Sequence, residues 1–146
     1  MRTRAFTLPE ILIVLTVIGT LASFGIAGFA SLREAAAVRS ATRVVRQQLS
    51  LARRAAVSRR ETVRLYQAGN RLIVETSAGT ILGATSFAGV DPLPVDSVVL
   101  RPATFRFNPR GQAAPGSVYL FRGDRSVRIV CNFLGRLRIE PVRRLR

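Results

Sequence analysis

The sequence predicts an α+β protein: one long N-terminal α-helix, membrane-spanning in its first half, packed on a C-terminal antiparallel β-sheet head. Three observations carry that prediction. Residues 11–32 form an apolar run without a charge. Residues 32–60 contain neither Gly nor Pro and are rich in Ala, Leu, Arg and Gln, all good helix formers. After Glu61 the apolar residues change from helical to alternating spacing. At 146 residues the chain is one domain with an appendage. It divides into a leader (1–5), a membrane helix (6–32), the helix's amphipathic continuation (33–60) and the head (61–146).

The charge is one-sided. There are 23 basic residues, all Arg, against 8 acidic ones, with no His, giving +15. Residues 31–61 carry +6 and residues 101–146 carry +9, whereas residues 62–100 sum to −1. Two separated basic regions suit a face for polyanions; a solvated surface in an Arg-biased chain is the alternative. Without His, and with a single Cys, the usual general base and metal ligands are missing. The scattered carboxylates form no pair of the kind hydrolysis needs, so no enzyme, cofactor or metal is expected. One Cys makes no disulfide within the chain.

The first element is the apolar run. Its 22 residues are long enough as a helix to cross a hydrocarbon core of roughly 30 Å. An ordinary secretory signal has an apolar core of only about 7–15 residues, although Gly28, Phe29 and Ala30 could serve as its cleavage end. What precedes the run points elsewhere: Arg2 and Arg4, then Ala5, Phe6, Thr7, Leu8, Pro9 and Glu10. This leader resembles that of the type IV prepilins and of the pseudopilins of type II secretion, in which a small residue is followed by Phe-Thr-Leu-x-Glu and about twenty apolar residues. The resemblance covers roughly the first 30 residues, with Ala5 in place of the commoner Gly and Pro9 where many relatives have an aliphatic residue. It implies that a prepilin peptidase cuts between Ala5 and Phe6 on the cytoplasmic side and N-methylates Phe6. The partners it implies are that peptidase, other pilin or pseudopilin subunits, and the cell inner membrane. The mature chain would be a single-pass protein, head outside the cytoplasm, later extracted into a pilus or pseudopilus.

Glu10 is a carboxylate at the edge of an apolar span, which is costly unless paired. The resemblance implies that its partner is the amine of Phe6 on a neighbouring subunit during filament assembly. Thr7 to Glu10 also has the form of a capping box, with Pro9 tolerated in the first helical turn. The flanking charges run against the implied topology. Arg33, Arg39, Arg43 and Arg46 follow the span and only Arg2 and Arg4 precede it, so the positive-inside rule alone places the C-terminal side in the cytoplasm. The leader requires the reverse, and a large domain can translocate despite its charges.

Beyond the span the helix should continue to Arg60. At 100° per residue, Arg43, Arg46, Arg53, Arg54 and Arg60 fall within about 60° of Arg39. Val38, Ala41, Val44, Val45, Leu49, Leu51, Ala52, Ala55 and Ala56 fall opposite, and Arg59 alone breaks the pattern. One face is a basic stripe and the other an anchor for a sheet. The stripe is either a solvated face or a contact with DNA or subunits. A helix from Leu8 to Arg60 is nearly 80 Å long at ~1.5 Å per residue.

The head begins with strands at 62–67 and 71–76, joined by a tight turn at Gly69 and Asn70. Residues 78–97 read as a connecting loop with one short strand at 80–82. Further strands follow at 98–101 and 104–107, a break at Asn108, Pro109, Arg110 and Gly111, then strands at 117–121 and 126–133. In the last, Val127, Ile129, Cys131 and Phe133 share one face by period two, which makes Cys131 a core residue rather than a reactive thiol.

Phe105, Phe107, Asn108, Pro109 and Gly111, the strand from Arg128 to Phe133, and Gly135-Arg136-Leu137-Arg138 resemble the GspH/FimT branch of minor pseudopilins and minor pilins. FimT-like minor pilins that capture DNA for uptake carry a Gly-Arg-x-Arg motif, which Gly135, Arg136 and Arg138 match. In an extended segment Arg136 and Arg138 lie on the same side, roughly 7 Å apart, with Leu137 and Ile139 toward the core. Arg143, Arg144 and Arg146 would add a mobile basic tail. Guanidinium groups can grip phosphate bidentately. With no Trp and two Tyr, stacking platforms are not evident, so the resemblance implies backbone contact with double-stranded DNA, without sequence preference. The alternative is a GspH-like pseudopilin of type II protein secretion, in which the same arginines only solvate a strand.

Overall fold

The structure, a computed structural model, describes residues 7–88 and 92–144; for 22–31 and 141–144 it describes the backbone alone. The described residues form an α+β arrangement of one helix and eight strands. It divides into two compact units, Met1–Ala35 and Ala36–Arg146, with the helix α1 (Leu8–Arg59) passing through both.

In the first unit every described side chain from Thr7 to Leu21 is exposed, including Ile11, Leu12, Ile13, Val14, Leu15, Val17, Ile18 and Leu21. The helix here is apolar all round rather than amphipathic. Thr16 and Thr20 turn their hydroxyls back onto the carbonyls of Leu12 (2.7 Å) and Val17 (2.9 Å), so these polar groups are satisfied within the helix itself. Among the described residues, no helix is long and apolar enough to cross a membrane. The side chains of 22–31, in the second half of the expected span, lie outside those described.

In the second unit α1 is amphipathic as the spacing requires. Val38, Ala41, Val45, Leu49, Ala52, Ala55 and Ala56 are buried, and Val44 and Leu51 half-buried, whereas Arg39, Arg43, Arg46, Arg53 and Arg54 are exposed. The helix stops where Arg60 adopts φ +54°, a left-handed residue that ends the ladder.

The strands form two antiparallel sheets. One has the order β3-β2-β1-β5, from β1 (Val63–Ala68), β2 (Arg71–Thr76), β3 (Ile81–Ser86) and β5 (Thr104–Phe107). The other has the order β4-β6-β7-β8, from β4 (Ser97–Arg101), β6 (Gly116–Arg122), β7 (Arg125–Cys131) and β8 (Leu137–Arg144). Alternate residues of both sheets meet the helix in a single core: Val63, Leu65, Leu72, Val74, Phe105 and Phe107 from the first, and Leu100, Val118, Leu120, Ile129 and Cys131 from the second.

The structure departs from the sequence expectations in three places. β3 is a full strand, not a short one at 80–82. Its small residues allow close approach to α1: a Cβ on Gly83 would lie 2.8 Å from the Gln48 Oε1, and Gln48 Nε2 donates to Thr85 Oγ1 at 2.9 Å. β7 ends at Cys131, so Phe133 is exposed in a turn rather than facing the core, and Ile139 is 43% exposed. β8 runs through Arg144 and pairs Arg143 with Ser126 and Arg144 with Arg125. Those two arginines are thus in a strand and not in a mobile tail.

Candidate functional site

Two turns of the same design lie against the basic face of α1. In the first, Asn108 Oδ1 accepts from the backbone N–H of Gln112 (2.9 Å), Gly111 N–H donates to Asn108 O (2.8 Å), and Asn108 N–H donates to Gln112 O (3.0 Å). In the second, between β7 and β8, Asn132 Oδ1 accepts from Arg136 N–H (2.8 Å), Gly135 N–H donates to Asn132 O (2.9 Å), and Asn132 N–H donates to Arg136 O (3.1 Å). Both need a left-handed fourth residue, and Gly supplies it, with φ +75° at Gly111 and +68° at Gly135. Asn fits the first position because its side chain bonds the backbone ahead of it. The Asn-x-x-Gly spacing, present twice in the sequence, was the readable signal for this pair.

The turns touch. A Cβ on Gly135 would come within 2.5 Å of the Gly111 carbonyl oxygen and 3.0 Å of Arg53 Nε. Arg53 Nε donates to that same carbonyl at 3.1 Å, so one helical arginine ties the first turn to α1 directly beneath the second. The sequence reading placed Arg53 only in the stripe and missed this anchoring bond. Behind the turn, burial pushes the Cys131 thiol pKa up, partly offset by the nearby positive charge of Arg53.

The outcome is a groove of about 500 Å³ lined by Arg46, Ser50, Arg53, Arg54, Gly135, Arg136 and Leu137. A second hollow of about 260 Å³, with Arg39, Thr42, Arg43, Val127, Ile139 and Glu140 around it, shares Arg46 with the first. Arg136 of the C-terminal basic region therefore joins the basic face of α1. Among the described residues, none of Arg39, Arg43, Arg46, Arg54 and Arg136 is paired with a carboxylate. Glu75 holds Arg64 at 3.2 Å on the first sheet, while Glu140, which borders the second hollow, lies 3.7 Å from Arg128 of β7.

Of the residues singled out in the sequence, Gly135 and Arg136 border the groove, whereas Arg138 does not line it. Arg138 sits in β8 opposite Val130 and Arg136 immediately precedes that strand; both are exposed, with Leu137 between them half-buried against the core. Arg143 and Arg144 have only their backbone described, and Ala5, Phe6 and Arg146 lie outside the described residues. Glu10 Oε2 accepts from Thr7 N–H at 3.4 Å and from the Thr7 hydroxyl at 3.5 Å, the backward half of a capping box. The sequence also left unread an aromatic pair on β6: Tyr119 and Phe121 stack with centroids 6.5 Å apart, and Arg128 lies 5.5 Å over the Tyr119 ring. That arginine is engaged locally, donating to Ser117 Oγ at 2.9 Å.

Comparison with known proteins gives one family and one fold. Residues 41–135 match the family model described as type II transport protein GspH. Similar solved structures include two crystal forms of the type IV minor pilin FimU of Pseudomonas aeruginosa (strain PAO1). They superpose with a TM-score of 0.54 at 19% and 18% identity, covering 70% of this chain and 92% and 87% of theirs. At that identity the likeness is one of fold. No curated protein matches the sequence.

Proposed function

The chain belongs to the GspH family of type II transport proteins, in the GspH/FimT-like branch of the type IV pilins and pseudopilins, and from that premise we propose that it is a membrane-anchored minor pilin that binds DNA for uptake. In this reading a prepilin peptidase removes residues 1–5, leaving a methylated Phe6 and an apolar helix in the inner membrane. The all-round apolar surface of α1 from Leu8 to Leu21 supports the anchor, since a helix without a polar face needs an apolar surrounding. The back-bonded Thr16 and Thr20 suit hydrocarbon for the same reason. After extraction into a filament, Glu10 would exchange its contact with Thr7 for the free amine of a neighbouring subunit. Its role there is structural and binding, not catalytic.

The observation that carries the DNA reading is the turn at Gly135, which presents Arg136 without a carboxylate partner beside further unpaired arginines. Arg138, Arg143 and Arg144 follow in β8, with Arg146 beyond it. Such a set attracts phosphates without reading bases. The test is binding of duplex DNA by the full-length chain in detergent over a salt series. The expected log–log slope is near −0.9 for each phosphate engaged, and Arg136→Gln with Arg138→Gln should weaken binding clearly. The second reading, a pseudopilin of type II protein secretion, is favoured by the description of the matching family model. It gains if the wild-type chain fails to bind DNA, or if the double variant binds as the wild type does.

A further inference from the structure

We propose that Arg39, Arg43, Arg46 and Arg54 of α1 join Arg136 in a single track for one phosphodiester strand of duplex DNA, so that the helix face, and not the Gly-Arg-Leu-Arg segment alone, carries the binding. The inference rests on the DNA-binding reading above and names where most of that binding is made.

Three observations lead to it. First, the two hollows share Arg46 and follow one another along α1, bordered by β8 and its preceding turn on the other side. Second, the arginines repeat at helical spacing over residues 39–54, a length of about 22 Å at ~1.5 Å per residue. One strand of a duplex presents about six phosphates over that distance, at ~3.4 Å of axis each. Third, these five like charges converge without an ion-pair partner among the described residues; the one carboxylate bordering the track, Glu140, is paired with Arg128 of β7, and the positive charges outnumber it. A face that bears an excess of positive charge is set up for an anion of matching length.

The composition of the track changes along it. At the Arg39 end it has an apolar floor, Val127 and Ile139, with Thr42 and the Arg128-paired Glu140 beside them. At the Arg54 end Ser50 and the Gly135 turn replace that floor. Such a channel accommodates the sugar edge of a strand where it is apolar and phosphates where arginines line it. Arg53 has a different task. Its Nε is committed to the Gly111 carbonyl, so it fixes to α1 the turn against which the Gly135 turn packs.

The experiment uses the full-length chain in detergent with a fluorescent duplex of about 30 base pairs, titrated from about 50 to 200 mM salt. Arg46→Gln with Arg54→Gln should weaken binding roughly tenfold, near 100 mM salt, for each phosphate that is no longer neutralised. It should also flatten the log–log slope by about 1.8. Arg46→Lys with Arg54→Lys should restore the slope, since gripping a phosphate needs the charge. Arg71→Gln with Arg106→Gln removes the same charge from exposed positions outside both hollows and should leave the slope unchanged. Helicity and melting temperature of each variant report folding.

If the Arg46 and Arg54 variant keeps the wild-type slope while the Arg136 and Arg138 variant no longer binds, the track is refuted and DNA binding by the C-terminal segment stands. An equal weakening in the control variant would mean that binding follows net charge alone, and would also refute it. Displacement of DNA by poly-glutamate at equal charge concentration would assign the face to an acidic polypeptide instead. A wild-type chain that binds no DNA overturns both readings.

Discussion

Gly135 concentrates the local physics of the site. It combines φ +68° with close approach to the Gly111 carbonyl and the Arg53 side chain, so no larger residue fits without moving one of them. Gly135→Ala should lower stability by about 2–3 kcal/mol, from left-handed strain and the clash together; thermal melting checks this, and an unchanged melting temperature would show that the turn relaxes. Cys131 offers a second readout. It is 1% exposed, and burial raises its pKa, so a thiol reagent should react slowly with the folded chain and rapidly after unfolding. An acid whose folded pKa is raised favours folding until the unfolded thiol ionises. Its contribution is therefore complete below about pH 8.5 and is lost as pH climbs toward the folded value. Cys131→Ala should accordingly flatten the alkaline fall in stability measured by denaturant titration. Cys131 was legible in the sequence because period-two alternation held through it. Phe133 was not, because Asn132 captures the Arg136 amide and turns the chain one residue after Cys131.

The elements differ in how far their residues announce them. The second half of α1 was readable because 32–60 lacks Gly and Pro and its apolar positions recur on one side, and the buried residues are the expected ones. Leu49, fully enclosed in the core, should cost about 2–5 kcal/mol as Leu49→Ala, read from urea melts. The end of the helix is improvable. Arg60 holds a left-handed conformation that Gly adopts freely, so Arg60→Gly should stabilise the chain by about 0.5–1 kcal/mol, and destabilisation would mean that the Arg60 side chain has a role not seen in its contacts. β3 was harder to read because Gly83, Ala84 and Ser86 carry little strand preference. Their small size is what the sheet requires where it passes Gln48 and Leu51. The length of β8 was hidden for a related reason, since an Arg-rich end reads as solvated tail until β7 is seen to pair with it.

Across the molecule, composition revealed two basic regions but not that Arg136 of the second lies beside the helical arginines of the first. Residues 46–54 and 135–137 come together because α1 and the β7–β8 turn are both fixed to the same core, a long-range consequence that no local pattern encodes. The fold, one helix on two antiparallel sheets, is shared with the minor pilin FimU. It is a scaffold that holds its charged side chains on a fixed helix face. The central claim is that this scaffold is delivered as a filament subunit, with its apolar helix retained and only the leader removed. The most direct test is intact mass and N-terminal sequencing of the chain recovered from the membranes of cells that express it with a prepilin peptidase. The account predicts a mature N-terminus at N-methylated Phe6; a chain beginning after Ala30, or still carrying Met1 when the peptidase is active, contradicts it.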